Sequence, residues 1–228
     1  MKKLWIGLLG ILAVSMSCKN APVEFGQVCS VKLTNVEFTK SLNNAQENAT
    51  VVNDTLTLRS DARRDNFCDP DGKLSNNTAP VLLAKVNNLQ PFTLTAKVTP
   101  TFIETYDAGA LYVYLNEKLW VKFAFERDER ARTRIVTVRT IGTSDDNNHD
   151  VIDSTGVYMK ITSDTKTIAY YYSLDNVSWQ LVRLYRNDYP AEIWVGPSAQ
   201  SPLGEGNSVI FTECSLVDSC VKDFRLGI

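Results

Sequence analysis

The sequence predicts an all-β protein, a single-domain, two-sheet β-sandwich. Three observations carry that expectation: about a dozen short runs enriched in β-branched and aromatic residues, turn residues between them, and no stretch in which helical spacing is sustained. The predicted strands are Val31 to Thr39, Thr50 to Arg59, Val81 to Val86, Phe92 to Thr99, Ala110 to Leu115 and Trp120 to Glu126. They continue with Arg134 to Ile141, Gly156 to Thr162, Thr167 to Leu174, Trp179 to Leu184, Ile193 to Ala199 and Ser208 to Leu216. Turn chemistry separates them at Asn43-Asn44, Asp69-Pro70-Asp71-Gly72, Asn87-Asn88, Asn116-Glu117, Asp145 to Asn148 and Pro202 to Gly206. Many short strands with such turns describe two packed sheets.

Before the first strand lies an address. Lys2 and Lys3 precede an apolar run, Leu4 to Val14, which is too short to span a bilayer and has the length of a signal-peptide core. Ser15, Met16 and Ser17 lead into Cys18, the arrangement of a lipoprotein cleavage site, although Ser15 stands where Leu is usual. The expected organisation is a signal peptide over 1–17, a lipid-anchored tether over 18–27, and one domain over 28–228 with a short extension after residue 216. The expected location is the envelope of a bacterial cell, as an exported, membrane-anchored lipoprotein facing the periplasm or the surface.

With Cys18 carrying lipid, Cys29, Cys68, Cys214 and Cys220 remain. An even number of cysteines in an oxidising compartment favours disulfides, with three pairings open. His149 is the only histidine and no C-x-x-C occurs, so no metal site and no cofactor is expected. The formal charge of -2 becomes about -4 once Lys2 and Lys3 are removed, which gives no basic surface for nucleic acid.

Alternation assigns faces on the strand LWVKFAFE. Leu119, Val121, Phe123 and Phe125 form an apolar side that should fill the core, while Trp120, Lys122, Ala124 and Glu126 form the other. Lys122 and Glu126 are about 13 Å apart along the strand at 3.3 Å per residue, so each must find a partner on a neighbour. In YYYSLDNVSWQL, Asp175 is expected to cap a hairpin with Trp179 packed beneath it. The pattern resembles the Asp box of sialidase-like propellers but occurs once, is one residue short and lacks a blade period. Tyr170 and Tyr172 should face the core and Tyr171 the opposite side.

Three stretches, YDAGALYVYLNEKLWVKFAFE (Tyr106 to Glu126), YYYSLDNVSWQLVRL, and VGPSAQSPLGEGNSVIFTECSL (Val195 to Leu216), make the chain resemble the DUF1349 family over roughly Val31 to Leu216. The specific features are Ala108-Gly109, the Trp120, Lys122 and Glu126 spacing, the S-L-D-x-x-x-W hairpin and the Ser201-Pro202 turn. The resemblance implies a concanavalin A-like sandwich, or jelly roll; the family's label, regulation of enolase, is uninformative. Two departures stand out: Cys68 in DNFCD occupies an expected Trp position, and Asn176 replaces the usual hairpin Gly, a residue that also tolerates positive φ. Cys29 precedes the resembling region and Cys220 follows it, and sandwich termini often lie close together, so Cys29 is paired with Cys220 and Cys68 with Cys214. A local Cys214 to Cys220 bridge is the alternative.

Folds of this class host lectins, glucanases and inert modules alike. The candidate ligand face is Trp120, Lys122 and Glu126, with Tyr112 and Tyr114 beside them and Asp107 at the edge, because an exposed indole can stack on a sugar ring while charged groups meet its hydroxyls. Catalysis has weaker support: Glu126-Arg127-Asp128 begins like the glucanase signature E-x-D-x-x-E, but Ala131 fills the last position. Asp107, Glu126 and Asp128 are the residual catalytic carboxylates. The arginine-rich run Arg127 to Arg134 is expected to be an exposed hairpin rather than a phosphate cradle, and Ser144 to Asp150 a polar loop rather than a calcium site. The function expected is that of a non-catalytic carbohydrate-binding or glycan-handling accessory protein. A glycoside hydrolase and a structural envelope module are the alternatives.

Overall fold

A computed structural model describes residues 25–228. The signal peptide, Cys18 and most of the tether lie outside the described residues. In chain order the strands are β1 (Gln27–Leu33), β2 (Val36–Leu42), β3 (Ala49–Val52), β4 (Thr55–Asp61), β5 (Asn66–Cys68) and β6 (Ser75–Asn77). Then come β7 (Val81–Asn87), β8 (Phe92–Pro100), β9 (Ala108–Asn116), β10 (Leu119–Arg127), β11 (Thr133–Ile141) and β12 (Thr143–Val151). The last five are β13 (Val157–Ser163), β14 (Thr167–Ser173), β15 (Gln180–Arg186), β16 (Glu192–Gln200) and β17 (Gly206–Val217). They form an eight-stranded sheet in the order β1-β2-β7-β16-β9-β10-β11-β12, a seven-stranded sheet in the order β15-β14-β13-β8-β17-β4-β3, and the separate β5-β6 hairpin. The expected all-β, concanavalin A-like sandwich is the architecture observed.

Alternation built the core as expected. Val121, Phe123 and Phe125 of β10, Phe92, Leu94, Ala96 and Val98 of β8, and Tyr170 and Tyr172 of β14 share one buried cluster between the sheets. Gly109 faces the same space: a β-carbon there would lie 2.5 Å from Val209 and 2.6 Å from Val98, so the close approach of the sheets requires glycine. Asp175 caps its hairpin, its Oδ1 accepting from the amides of Val177 at 2.8 Å and Ser178 at 2.7 Å and from the Ser173 hydroxyl at 2.9 Å. These bonds hold its carboxyl well below the usual carboxylate range. Asn176 takes φ of 61°, and Trp179 packs under the Lys160 ammonium at 3.5 Å.

Several strand boundaries differ from expectation. Val31 to Thr39 and Thr50 to Arg59 are each two strands folded back on each other; the second pair turns at Asn53 and Asp54, whose φ values of 48° and 62° suit a two-residue hairpin. Ser144 to Asp150 is no loop but edge strand β12, whose polar residues hide its period because solvent lies beside it. The Arg127 to Arg134 turn is a structural knot: buried Asp128 accepts from the amides of Arg130 and Arg132 and pairs with the guanidinium groups of Arg132 at 2.8 Å and Arg134 at 3.1 Å.

All four described cysteines are free thiols. Cys68 lies on the hairpin outside the eight-stranded sheet, whereas Cys214 points into the core between the sheets, so a sheet separates them. Cys29 also points into that core, its thiol donating to the Phe38 carbonyl at 3.3 Å, while the segment carrying Cys220 lies against the outer face of the other sheet, where Thr93 donates to the Ser219 carbonyl. Neither expected pair forms, nor does the local Cys214 to Cys220 bridge.

The largest correction concerns Trp120. Its face carries a second buried cluster that includes Tyr112, Tyr114, Val81, Leu83 and Trp194, with Phe25, Leu42 and Phe67 packed on it. Trp120 is 0% exposed, its Nε1 donating to the Glu117 carbonyl at 3.2 Å, so it is no sugar-stacking platform. Both Phe123→Ala and Trp120→Ala are therefore core truncations, each expected to cost about 3 to 5 kcal/mol. Urea unfolding of the two variants checks this; a Trp120→Ala loss below about 1 kcal/mol would contradict it.

Candidate functional site

Cross-strand register on the outer face of the eight-stranded sheet creates a hollow. One row runs Trp194, Tyr114, Trp120, Thr140 and a second Gly196, Tyr112, Lys122, Val138, Asp146. The third row is small, Ser198, Ala110, Ala124, Val136, and the fourth is long again, Gln200, Ala108, Glu126, Arg134. Short side chains flanked by long ones leave a depression, since directly opposed residues stand only about 5 Å apart. The β5-β6 hairpin roofs one side, held by the Cys68 amide donating to Ser144 Oγ at 3.0 Å. The result is a cavity of about 320 Å³.

The hairpin is fastened from below by Lys122, which is only 3% exposed. Its Nζ donates to Asp65 Oδ1 at 3.2 Å, the Asn66 carbonyl at 3.0 Å and Gln200 Oε1 at 2.9 Å, the full complement of an ammonium. Burial works against its charge, but the Asp65 carboxylate, with Tyr112 and Glu126, outweighs that and holds the lysine above its ordinary pKa. Gln200 then turns its amide to Glu126 Oε2 at 3.2 Å and to the Tyr106 carbonyl at 3.1 Å. Lys122 and Glu126, too far apart on one strand to meet, are thus joined through a residue two strands away, across the small Ala108.

Glu126 is 8% exposed and lines the cavity. Burial pushes its carboxyl up to about 8, against the pull of Lys122 and with help from Asp65, Asp146 and Asp128. At neutral pH this group is therefore largely protonated. Among the described residues its Oε1 makes no hydrogen bond, which leaves one end of a buried carboxyl open to the cleft.

Of the expected ligand residues, the structure brings Lys122 and Glu126 to the cavity and withdraws the others. Tyr112 and Tyr114 are buried with Trp120 in the covering cluster. Asp107 is fully buried and ties down the loop before β9, accepting from the amides of Ile103 at 2.9 Å and Glu104 at 2.8 Å and from Ser201 Oγ at 2.7 Å. It positions Tyr106, which does line the cleft, at a φ of 66°. Asp128 is enclosed by its arginines and absent from the cavity wall.

Sequence reasoning missed Asp65, Phe67, Asp69, Leu74, Asn76, Tyr106, Val136, Val138, Asp146, Gln200, Pro202 and Leu203, which complete the lining. Two signals pointed near them: the DNFCD departure, which holds Asp65, Phe67 and Asp69, and the Ser201-Pro202 turn. Phe67, next to Cys68, supplies a rim aromatic where the expected Trp is absent.

The two-sheet sandwich is a fold that lectins and carbohydrate-active enzymes also use. More particularly, the chain belongs to the family described as a protein of unknown function, DUF1349, which matches residues 42–219. No curated protein matches by sequence. Among solved structures, a functionally unknown protein from Saccharomyces cerevisiae superposes with a TM-score of 0.72 at 22% identity, covering 80% of this chain and 97% of that one. A mutant of the GH43 protein BlXynB from Bacillus licheniformis gives 0.61 at 13% identity, with 80% of this chain matching 36% of the other. Metal-free lectin I-B4 from Griffonia simplicifolia gives 0.51 at 14% identity, over 75% of this chain and 90% of the lectin. At these identities the likeness is one of fold, and the chain spans about a third of the GH43 protein.

The raised carboxyl has a signed consequence for stability. Folded Glu126 holds a proton that the unfolded chain releases near pH 4.5, so between about pH 4.5 and 8 the native state binds more protons and stability falls as pH rises. The expected slope is on the order of 1 kcal/mol per pH unit. Glu126→Gln should remove this contribution, so that its stability relative to the parent improves steadily across that window. Denaturant midpoints measured across it provide the check, and parallel curves would refute the protonated assignment.

Proposed function

We propose that this protein is a non-catalytic carbohydrate-binding or glycan-handling accessory protein whose ligand occupies the cleft over Lys122 and Glu126. The observation that carries this is the cleft itself: a hollow of about 320 Å³ with Phe67, Tyr106, Leu74 and Leu203 as apolar surface and Glu126, Asp69, Asp146 and Asn76 as polar groups. Sugars require that combination, an apolar surface for the ring face and fixed polar atoms for the hydroxyls. The lectin and GH43 fold neighbours support the reading as analogies of architecture.

Glu126 favours a second reading, glycoside hydrolysis. A carboxyl that keeps its proton at neutral pH is what a general acid needs, and a partner carboxylate on the opposite side of the bond would complete the pair. Asp65 and Asp146 share the cavity.

One experiment separates these. The full chain is screened on a glycan array and, in parallel, incubated with the polysaccharides it binds. Binding without released product supports the accessory reading; product formation that Glu126→Gln reduces at least 100-fold supports the hydrolase; silence in both arms refutes each. Tyr106→Ala, on a residue 36% exposed at the rim, should weaken binding by roughly 1 kcal/mol or more.

The same protein is proposed to be exported and held to a membrane by lipid on Cys18, a reading supported by the Lys2-Lys3 start, the apolar Leu4 to Val14 run and the cysteine that follows. Cys18→Ser should shift the protein out of the membrane fraction or stall its processing. An unchanged mature mass and membrane partition would refute the anchor.

A further inference from the structure

We propose that the cleft selects a sugar residue bearing a free, protonated amine, that is, a hexosamine without its N-acetyl group. The inference rests on the carbohydrate reading above and adds the chemical class of the ligand.

The hydrogen-bonding inventory comes first. Among the described residues Lys122 is the one basic side chain on the cavity wall, and its three N–H groups are all engaged by Asp65, Asn66 and Gln200, so it has none for a ligand carboxylate or sulfate. Both hydrogens of the Gln200 amide are engaged as well, by Glu126 and the Tyr106 carbonyl. No charged donor on the cavity wall is therefore left for a negatively charged sugar.

Acceptors and negative charge are in surplus. Asp65 is balanced by Lys122, while Asp69 and Asp146 line the same cavity with no ion-pair partner among the described residues. The buried Glu126 carboxyl turns its unpartnered Oε1 toward the hollow, a second feature that calls for a polar atom from outside. Two aromatic rings, Phe67 and Tyr106, border this acidic space, and an ammonium beside an aromatic face is further stabilised. A cation that is also a polyol satisfies all of these at once. A neutral sugar satisfies the hydroxyl acceptors only, and a uronic acid meets uncompensated like charge.

The test titrates the full chain with four short 1,4-linked oligomers of equal length, β-linked glucosamine, N-acetylglucosamine and glucose and α-linked galacturonic acid, at a pH that keeps the amine protonated. The glucosamine oligomer should bind at least about fivefold more tightly than either neutral oligomer, the worth of one close charge pair in water, with the acidic oligomer weakest. The preference should collapse near 1 M salt, where the screening length is about 3 Å. Asp69→Asn and Asp146→Asn should each lower affinity for the amine oligomer more than for the neutral ones. Asp188→Asn, at an exposed position on the β15 to β16 loop, should change neither.

Neutral and amine oligomers binding equally, or an equal loss in Asp188→Asn, would overturn the amine assignment while leaving the carbohydrate reading standing. If none of the four binds and the array is silent too, the carbohydrate reading itself fails.

Discussion

The buried ammonium of Lys122 is the constraint around which one face of this protein is arranged. A charge that is 3% exposed cannot persist without partners. Its three partners come from two distant places in the chain: Asp65 and Asn66 before and within β5, and Gln200 at the end of β16. Satisfying one cation thus docks a hairpin onto the sheet and orients a glutamine. Through that glutamine it also holds the Glu126 carboxyl in place. The cleft exists in the space this network cannot fill.

The fold consequently has two cores with different purposes. The cluster between the sheets holds Phe123, Phe125, Tyr170 and Phe211 and makes the sandwich. The cluster outside the eight-stranded sheet, built on Tyr112, Tyr114, Trp120 and Trp194, makes a rigid wall beside the cleft. Large rings give way to Ala110 and Ala124 within one or two rows, and that step in side-chain size shapes the hollow. Rigid support of this kind is what a binding site needs if its polar groups are to stay in place without ligand.

The fold was legible because a sheet with one buried face writes its period into the sequence, as LWVKFAFE shows. The site was half legible. Lys122 and Glu126 could be placed on one face, and their need for partners on other strands could be foreseen from strand rise alone. Trp120 was misjudged because alternation tells which side a residue faces and says nothing of whether a distant segment covers that side. Part of the cover comes from residues 65 to 77, some fifty positions upstream, where three-residue strands are too short to show a period, and the rest from Phe25 and Leu42. Asp146 was hidden for another reason: in SDDNNHD both faces are polar, so a strand looks like a loop. Four cysteines suggested bridges, yet parity is no measure of distance, and Cys68 and Cys214 lie on opposite sides of a sheet.

That polar strand has a role in what the sandwich does not do. β12 is the outermost strand of a large sheet, and behind it β11 carries Ile135, Val136 and Val138. An apolar strand at such an edge would offer free backbone amides and carbonyls, with matching side chains, to any neighbouring copy. Asp145, Asp146, Asn147, Asn148 and Asp150 instead bring like charge and hydration to the place where a ninth strand would add, and Asp145 is tied back to Arg183 of the other sheet at 2.6 Å. Lateral growth of the sheet into a fibre is opposed by the same strand that contributes Asp146 to the cleft, so the guarded edge and the cavity wall draw on a single run of carboxylates.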